Sequence, residues 1–211
     1  MNELYTIGHS IHSNNYFLEL LTKYGINCLV DVRSNPYSKY APQYNTNEIK
    51  RFLIGNQIYY IFMGEEFGAR RKDKSLFTNG YLDFEKVIPS SLFQKGIERI
   101  KNGLKKNLKI AFMCTEKDPI DCHRCILAAR AFHDLDYNIL NIREDGNCES
   151  QSQIEKRLLD LYFPIKNQLS LIELEPKKDT PDLILEAYRL RNQEIAYREE
   201  NSNEVVYDRV Y

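Results

Sequence analysis

Apolar positions follow two rhythms along this chain: short apolar runs bounded by turn residues, and longer stretches whose apolar residues recur at helical spacing. Leu4–Gly8, Asn27–Val32, Ile58–Met63, Lys109–Met113 and Tyr137–Ile142 read as strands. Between them, Asn14–Tyr24 places Phe17, Leu20, Leu21 and Tyr24 on one helical face. Asn47–Ile54 is a second helix, and Asp83–Leu108 holds one or two helices interrupted at Pro89. Cys122–Leu135 turns Ile126, Leu127, Ala131 and Phe132 inward, and Gln151–Leu161 is a further amphipathic helix. Strands alternating with helices predict an α/β fold with a mostly parallel sheet of about five strands. Strands this continuously apolar are expected where helices cover both faces.

Two stretches break the rhythm. Gly64–Gly80 has no periodicity, three glycines and a basic cluster at Arg70, Arg71, Lys72 and Lys74, and it reads as a long functional loop because it sits inside the alternation. After Pro164 the pattern changes, although Leu183–Tyr197 is again helical, with Ile184, Ala187, Tyr188, Arg191 and Ile195 on one face. Residues 1–163 therefore read as an α/β domain. Residues 164–211 read as a helical C-terminal extension packed on the domain or on a partner, frayed after Glu199.

Composition narrows the class. The 211 residues are 43% hydrophobic and 28% charged, as in a soluble globular protein long enough to hold a core without staples. The start lacks a basic segment followed by an apolar one, and no apolar run is long enough to span a bilayer, so the expected compartment is the cytoplasm and no membrane partner is expected. Five cysteines, an odd number, suit reduced thiols. The 15 tyrosines come with many Asn, Lys and Ile residues and no Trp, which reads as compositional bias rather than a stacking surface. A net charge of −1 excludes a polybasic nucleic-acid scavenger. Yet residues 171–211 hold ten acidic and six basic side chains, so a tail of −4 follows a body of +3.

Candidate chemistry follows from the strand assignment, because open α/β sheets bind ligands outside the carboxyl ends of their strands. The first strand delivers Gly8, His9 and Ser10. The second delivers Asp31, Arg33 and Ser34, and alternation puts Asp31 and Arg33 on one side, where they can pair. The third opens into the Gly64–Gly80 loop with Arg70, and the fourth delivers Cys114, Thr115 and Glu116. Cys114–Cys125 (CTEKDPIDCHRC) is the densest segment, running from a strand end through Asp118-Pro119 into a helix that Asp121 is placed to cap. A helix start attracts anions, and His123 and Arg124 in its first turn add donors, Arg124 in bidentate fashion.

The motifs TIGHS (Thr6–Ser10), LVDVRSNPYSKY (Leu29–Tyr40), Gln43-Tyr44-Asn45, Gly64–Arg70 and MCTEKDPIDCHR (Met113–Arg124) resemble the widespread prokaryotic DUF488 family, over about residues 4–161. The resemblance implies an α/β fold with a shared polar site and implies no reaction. The chain departs from the family pattern at Asn141 and at Cys148-Glu149, where relatives often carry histidines, and in the second cysteine of CHRC, Cys125.

Together these readings give an enzyme acting on a phosphate- or carboxylate-bearing ligand, a nucleotide or nucleic acid before others. The candidate catalytic groups are His9, Asp31, Cys114, Glu116 and His123. The candidate ligand-binding groups are Ser10, Arg33, Ser34, Arg70 and Arg124, with Glu116 or His9 moving a proton and Cys114 as a nucleophile. The alternative from another class is a non-catalytic nucleic-acid or nucleotide binding module. It would use the loop arginines together with Lys95, Arg99, Lys105, Lys106 and Lys109, and Phe67, Phe77 and Tyr81 as stacking surfaces. Behind both stands a thiol–disulfide role for Cys122 and Cys125. A nine-residue gap between Cys114 and Arg124 excludes a cysteine-phosphatase loop, and Ile126 after the second cysteine excludes haem attachment. No metal site is expected: Cys114, Glu116, Cys122 and His123 match no finger or ribbon spacing, and neighbours on a helix point about 100° apart. The sequence names no cofactor and no oligomeric state.

Overall fold

The computed structural model describes residues 3–164 and 180–198. Along the chain, β1 (Glu3–Gly8) leads into α1 (Asn14–Lys23), β2 (Cys28–Asp31), α2 (Thr46–Gly55) and β3 (Tyr59–Phe62). A single helical turn, α3 (Gly64–Phe67), and a hairpin of β4 (Phe77–Thr78) and β5 (Tyr81–Leu82) follow. Then come α4 (Phe84–Val87), α5 (Ser91–Lys105) and β6 (Ile110–Cys114). A π-helical segment, Arg124–Ala129, continues as α6 (Arg130–His133). The remaining elements are β7 (Asn138–Ile142), β8 (Cys148–Ser150), α7 (Gln151–Tyr162) and α8 (Thr180–Ile195).

The main sheet has the order β3-β2-β6-β1-β7-β8. Neighbours are parallel except β8, which runs antiparallel to β7. β6 inserts between β1 and β2 while β7 adds on the far side of β1, so the strand order reverses around β1 and β6. That is where an open α/β sheet forms its crevice. The register sets Gly8 opposite Cys114 and Asp31 opposite Met113, which brings three strand ends level.

Side-chain alternation sends the strands into two cores. Leu4, Val30, Phe112 and Cys114 pack on one face with Phe67, Phe93, Ile97, Phe132 and Leu158. Tyr5, Ile7, Leu29, Ala111 and Met113 pack on the other with Phe17, Leu21, Tyr44, Ile49 and Leu53. Helix starts are capped as their sequences direct: the Ser13 hydroxyl accepts from the Tyr16 N–H, and Ser150 with Gln153 forms a capping box on α7. No helix among the described residues is long and apolar enough to cross a membrane.

Five expectations change. β3 is an edge strand rather than a doubly covered one, with Tyr59 63% and Phe62 38% exposed. Gly64–Gly80 is not a plain loop. Gly64–Phe67 buries Glu66 and Phe67 in a helical turn, and Asn79-Gly80, both at positive φ, close the β4–β5 hairpin. That Asn-Gly pair is a standard short-hairpin signal. The helix expected from Cys122 starts one residue later and opens as a π-helix. Asp118, not Asp121, makes the capping bond in this segment, accepting from the Ile120 N–H, while Asp121 pairs with Arg191 of α8. β8 is an additional short edge strand.

α8 begins at Thr180, before the expected Leu183, and docks on the body through directed bonds. The Asn192 amide joins the Phe84 N–H and the Leu82 carbonyl, each at 2.9 Å, and Gln151 donates to the Tyr188 hydroxyl at 2.9 Å. The expected fraying after Glu199 lies outside the described residues.

Candidate functional site

Two polar groups of residues meet at the carboxyl ends of β1, β2 and β6. The first is built from β1 and β2. Asp31, fully buried, takes two bonds from the Arg33 guanidinium, Nε to Oδ1 at 2.9 Å and Nη2 to Oδ2 at 2.6 Å, a third from the Arg33 backbone N–H at 3.1 Å and a fourth from the Tyr60 hydroxyl at 2.7 Å. Arg33 also donates to the Tyr44 carbonyl at 2.8 Å and reaches His9 Nε2 at 3.1 Å. The Ser10 carbonyl, which can only accept, lies 2.8 Å from His9 Nδ1, so Nδ1 carries the proton and Nε2 accepts from Arg33. The His9 ring stacks on Tyr44, centroids 4.1 Å apart. Burial, and then the Arg33 charge, push the His9 pKa down to about 4, so the ring is neutral. Both of its nitrogens are engaged within the protein.

The second group is built from β6 and the segment after it. Cys114 is the last residue of β6. The chain then passes close over β1: a Cβ on Gly8 would collide with the Glu116 carbonyl and come within 3.1 Å of Arg124 Nη2. Arg124, wholly buried, holds this turn by donating to the carbonyls of Glu116 at 2.7 Å and Lys117 at 3.4 Å, and its Nε has no hydrogen-bond partner. A 3₁₀ turn, Pro119–Asp121, follows, and Arg191 of α8 secures it by donating to the Ile120 carbonyl at 2.9 Å.

Cys122 then has extended backbone, φ −134° and ψ 135°, and the helical dihedrals begin at His123. The 100° divergence expected for neighbours on a helix therefore does not arise. His123 Nδ1 lies 3.8 Å from Cys114 Sγ and 4.0 Å from Cys122 Sγ, and Cys122 Sγ lies 2.7 Å from Glu116 Oε2. One ligand-type atom from each of Cys114, Glu116, Cys122 and His123 lies within 4.8 Å of all the others. The two sulfurs are buried, while neither Glu116 nor His123 is.

Burial raises the Cys114 thiol well above its ordinary value, and the adjoining Cys122 adds to the effect. Burial opposes ionisation of Cys122 too, but the Cys114 hydrogen bond, the Arg124 charge and His123 prevail and hold that thiol well below the ordinary range. Glu116 is raised by burial and by Cys122.

Of the expected site residues, the fold brings Cys114, Glu116 and His123 into one cluster and sets His9, Asp31 and Arg33 in the adjoining one. The Ser34 hydroxyl accepts from the Arg70 N–H at 2.8 Å, tying the third-strand loop to the second strand end. The Arg70 side chain is exposed over the Tyr197 ring, while Arg33 and Arg124 direct their bonded donors to partners inside the protein. Ser10 sits at φ 44° in the turn after β1. Cys122 faces Cys114 rather than Cys125, whose thiol contacts Gln151 at 3.6 Å and is pushed up to about 12 by burial. In the loop and α5 basic sets, Arg71 donates to the Glu65 and Glu66 carbonyls and Arg99 pairs with Glu66.

Sequence reasoning grouped Cys122 with Cys114, Glu116 and His123 but set the group aside on its spacing, and it missed Tyr44 and Tyr60 as partners of His9 and Asp31. For Tyr44 the signal was its place in the Gln43-Tyr44-Asn45 motif. Nothing local marks Tyr60.

The class defined so far is a three-layer α/β protein with thiol, carboxylate and imidazole groups gathered where its strand order reverses. Residues 13–131 match the model of the DUF488 family, a domain of unknown function, and the chain belongs to that family. No curated protein and no solved structure matches the chain.

Proposed function

We propose that this protein is an enzyme acting on a phosphate- or carboxylate-bearing ligand, with nucleotides and nucleic acid favoured, at the Cys114–Glu116–Cys122–His123 cluster. The observation that carries the reading is the convergence of four reactive side chains within 4.8 Å at the switch point of the sheet, open to solvent on its Glu116 and His123 side. Glu116 is the proton-moving group. Its carboxyl is shifted upward by burial and by the neighbouring Cys122, the direction that suits a group exchanging protons. With Arg33 and Arg124 bonded inside the fold, the ligand's charge falls to Arg70, exposed at the rim beside Ser34.

The test is a turnover screen of the full chain against nucleotides, phosphomonoesters, carboxylate esters and single-stranded oligonucleotides. At least one compound class should be converted, and Glu116→Gln should lower that rate by about 100-fold or more, the usual contribution of a positioned acid or base. No turnover across the panel, or turnover unchanged in Glu116→Gln, would overturn the reading.

A further inference from the structure

We propose that Cys114, Cys122 and His123, with Glu116 as an exchangeable fourth ligand, bind one divalent metal ion of the zinc class in tetrahedral geometry. The inference deepens the enzyme reading by naming the cofactor of the same cluster. It rests on that cluster's geometry and needs no turnover to be tested.

The spacing fits. With Zn–S near 2.3 Å and Zn–N near 2.0 Å, the sulfur-to-nitrogen edge of a tetrahedral site is about 3.5 Å. The two such edges here are 3.8 and 4.0 Å. Cys122 Sγ and Glu116 Oε2, 2.7 Å apart, share one proton; a metal ion would take its place and widen this edge toward about 3.5 Å. As each sulfur–metal bond forms, any thiol proton leaves to solvent and the sulfur lone pair becomes the metal bond.

The surroundings fit as well. His123 Nε2 lies 3.0 Å from the Val32 carbonyl, an acceptor only, so the neutral ring carries its proton there and turns the Nδ1 lone pair toward both sulfurs. A second-shell carbonyl fixing a histidine tautomer is the usual support of a metal-bound imidazole. The Arg124 N–H points at Cys122 Sγ at 3.4 Å. Two thiolates and a carboxylate around a dication leave one negative charge, and the buried Arg124 guanidinium beside the turn balances it.

Ligand type selects the metal. Two sulfurs and an imidazole suit zinc-like ions over calcium or magnesium, which prefer oxygen shells. Two cysteines and a histidine with one exchangeable position are also the pattern of catalytic rather than structural zinc. Glu116, on the solvent side, can yield that position to a substrate oxygen or water and then accept its proton.

Cobalt(II) titration of the reduced, metal-free full chain, without substrate, tests the proposal. The expected result is saturation at one equivalent, with intense tetrahedral ligand-field bands and a sulfur-to-cobalt charge-transfer band, all displaced by zinc. Cys122→Ser should weaken the charge-transfer band and lower zinc affinity by at least about 100-fold, above the range seen on removing second-shell partners. Cys148→Ser, outside the cluster, should change neither. Should Cys122→Ser fail to fold, Glu116→Gln serves instead, keeping the charge-transfer band while shifting the ligand-field pattern. A weak octahedral spectrum without a sulfur band, or full reactivity of all five thiols under saturating zinc, would overturn the site. Loss of turnover with the cobalt signature intact would overturn only the enzyme reading.

Discussion

The two polar groups at the strand ends draw on the same elements and lie side by side, yet they are built in opposite ways. Around Asp31 the network closes on itself: both carboxylate oxygens, three Arg33 nitrogens and both His9 nitrogens have partners. Around Cys114, two sulfurs, one imidazole nitrogen and one carboxylate oxygen instead gather within 4.8 Å of one another. A buried network closed on itself makes a rigid support, and reactive groups bonded chiefly to one another beside solvent make a site. Under the function proposed above, His9, Asp31 and Arg33 hold the carboxyl ends of β1 and β2 in place, and Cys114, Glu116, Cys122 and His123 carry the chemistry.

Breaking the closed network should have the largest effect on stability. Asp31→Asn leaves the Arg33 charge buried without its counter-charge and should cost about 3–5 kcal/mol in chemical denaturation. A loss below about 1 kcal/mol would mean that the pair is not the keystone described here.

Acid should attack the same network next. The folded His9 pKa, about 4, lies below its ordinary value of 6.5, so the unfolded chain takes up the proton first. The His9 contribution is complete above pH 6.5 and is lost as pH falls from there toward 4, a total of about 3 kcal/mol. Stability measured across that range should fall more steeply in the wild type than in His9→Gln, and equal slopes would remove His9 from the account.

The reactive group should respond the other way. Cys122→Ser exchanges one hydrogen-bonding atom for another and should cost about 1 kcal/mol. Glu116→Gln, reaching toward solvent, should stay within about 0.5 kcal/mol of wild type. Both should nevertheless disturb metal binding. A cost as large as that of Asp31→Asn would erase the contrast between the two groups.

Much of this arrangement is legible in the sequence. Five apolar runs mark the five parallel strands, all but the edge strand β3 burying most of their side chains on both sheet faces, and the rule for ligand sites in α/β sheets points to the strand ends where the polar groups gather. The Asp31–Arg33 pair follows from strand alternation alone. The cluster was less legible because its geometry depends on one backbone residue. Cys122 read as helical diverges from His123, whereas Cys122 extended after a 3₁₀ turn converges with it, and that turn is fixed partly by Arg191, far along the chain. The roles of the arginines depend likewise on long-range closure. Arg124 looks free for an anion in its motif, but the tight passage over Gly8 places carbonyl acceptors around it.

The most direct test of the central claim is the thermal unfolding midpoint of the full chain, with and without zinc, in wild type and Cys122→Ser. A ligand that binds only the folded state stabilises it by about 2.7 kcal/mol when its free concentration is 100 times the dissociation constant. For a chain of this size that raises the midpoint by roughly 5–10 °C. The account predicts that rise in the wild type and none in Cys122→Ser. Equal midpoints with and without zinc in the wild type, or the same rise in both proteins, would contradict it.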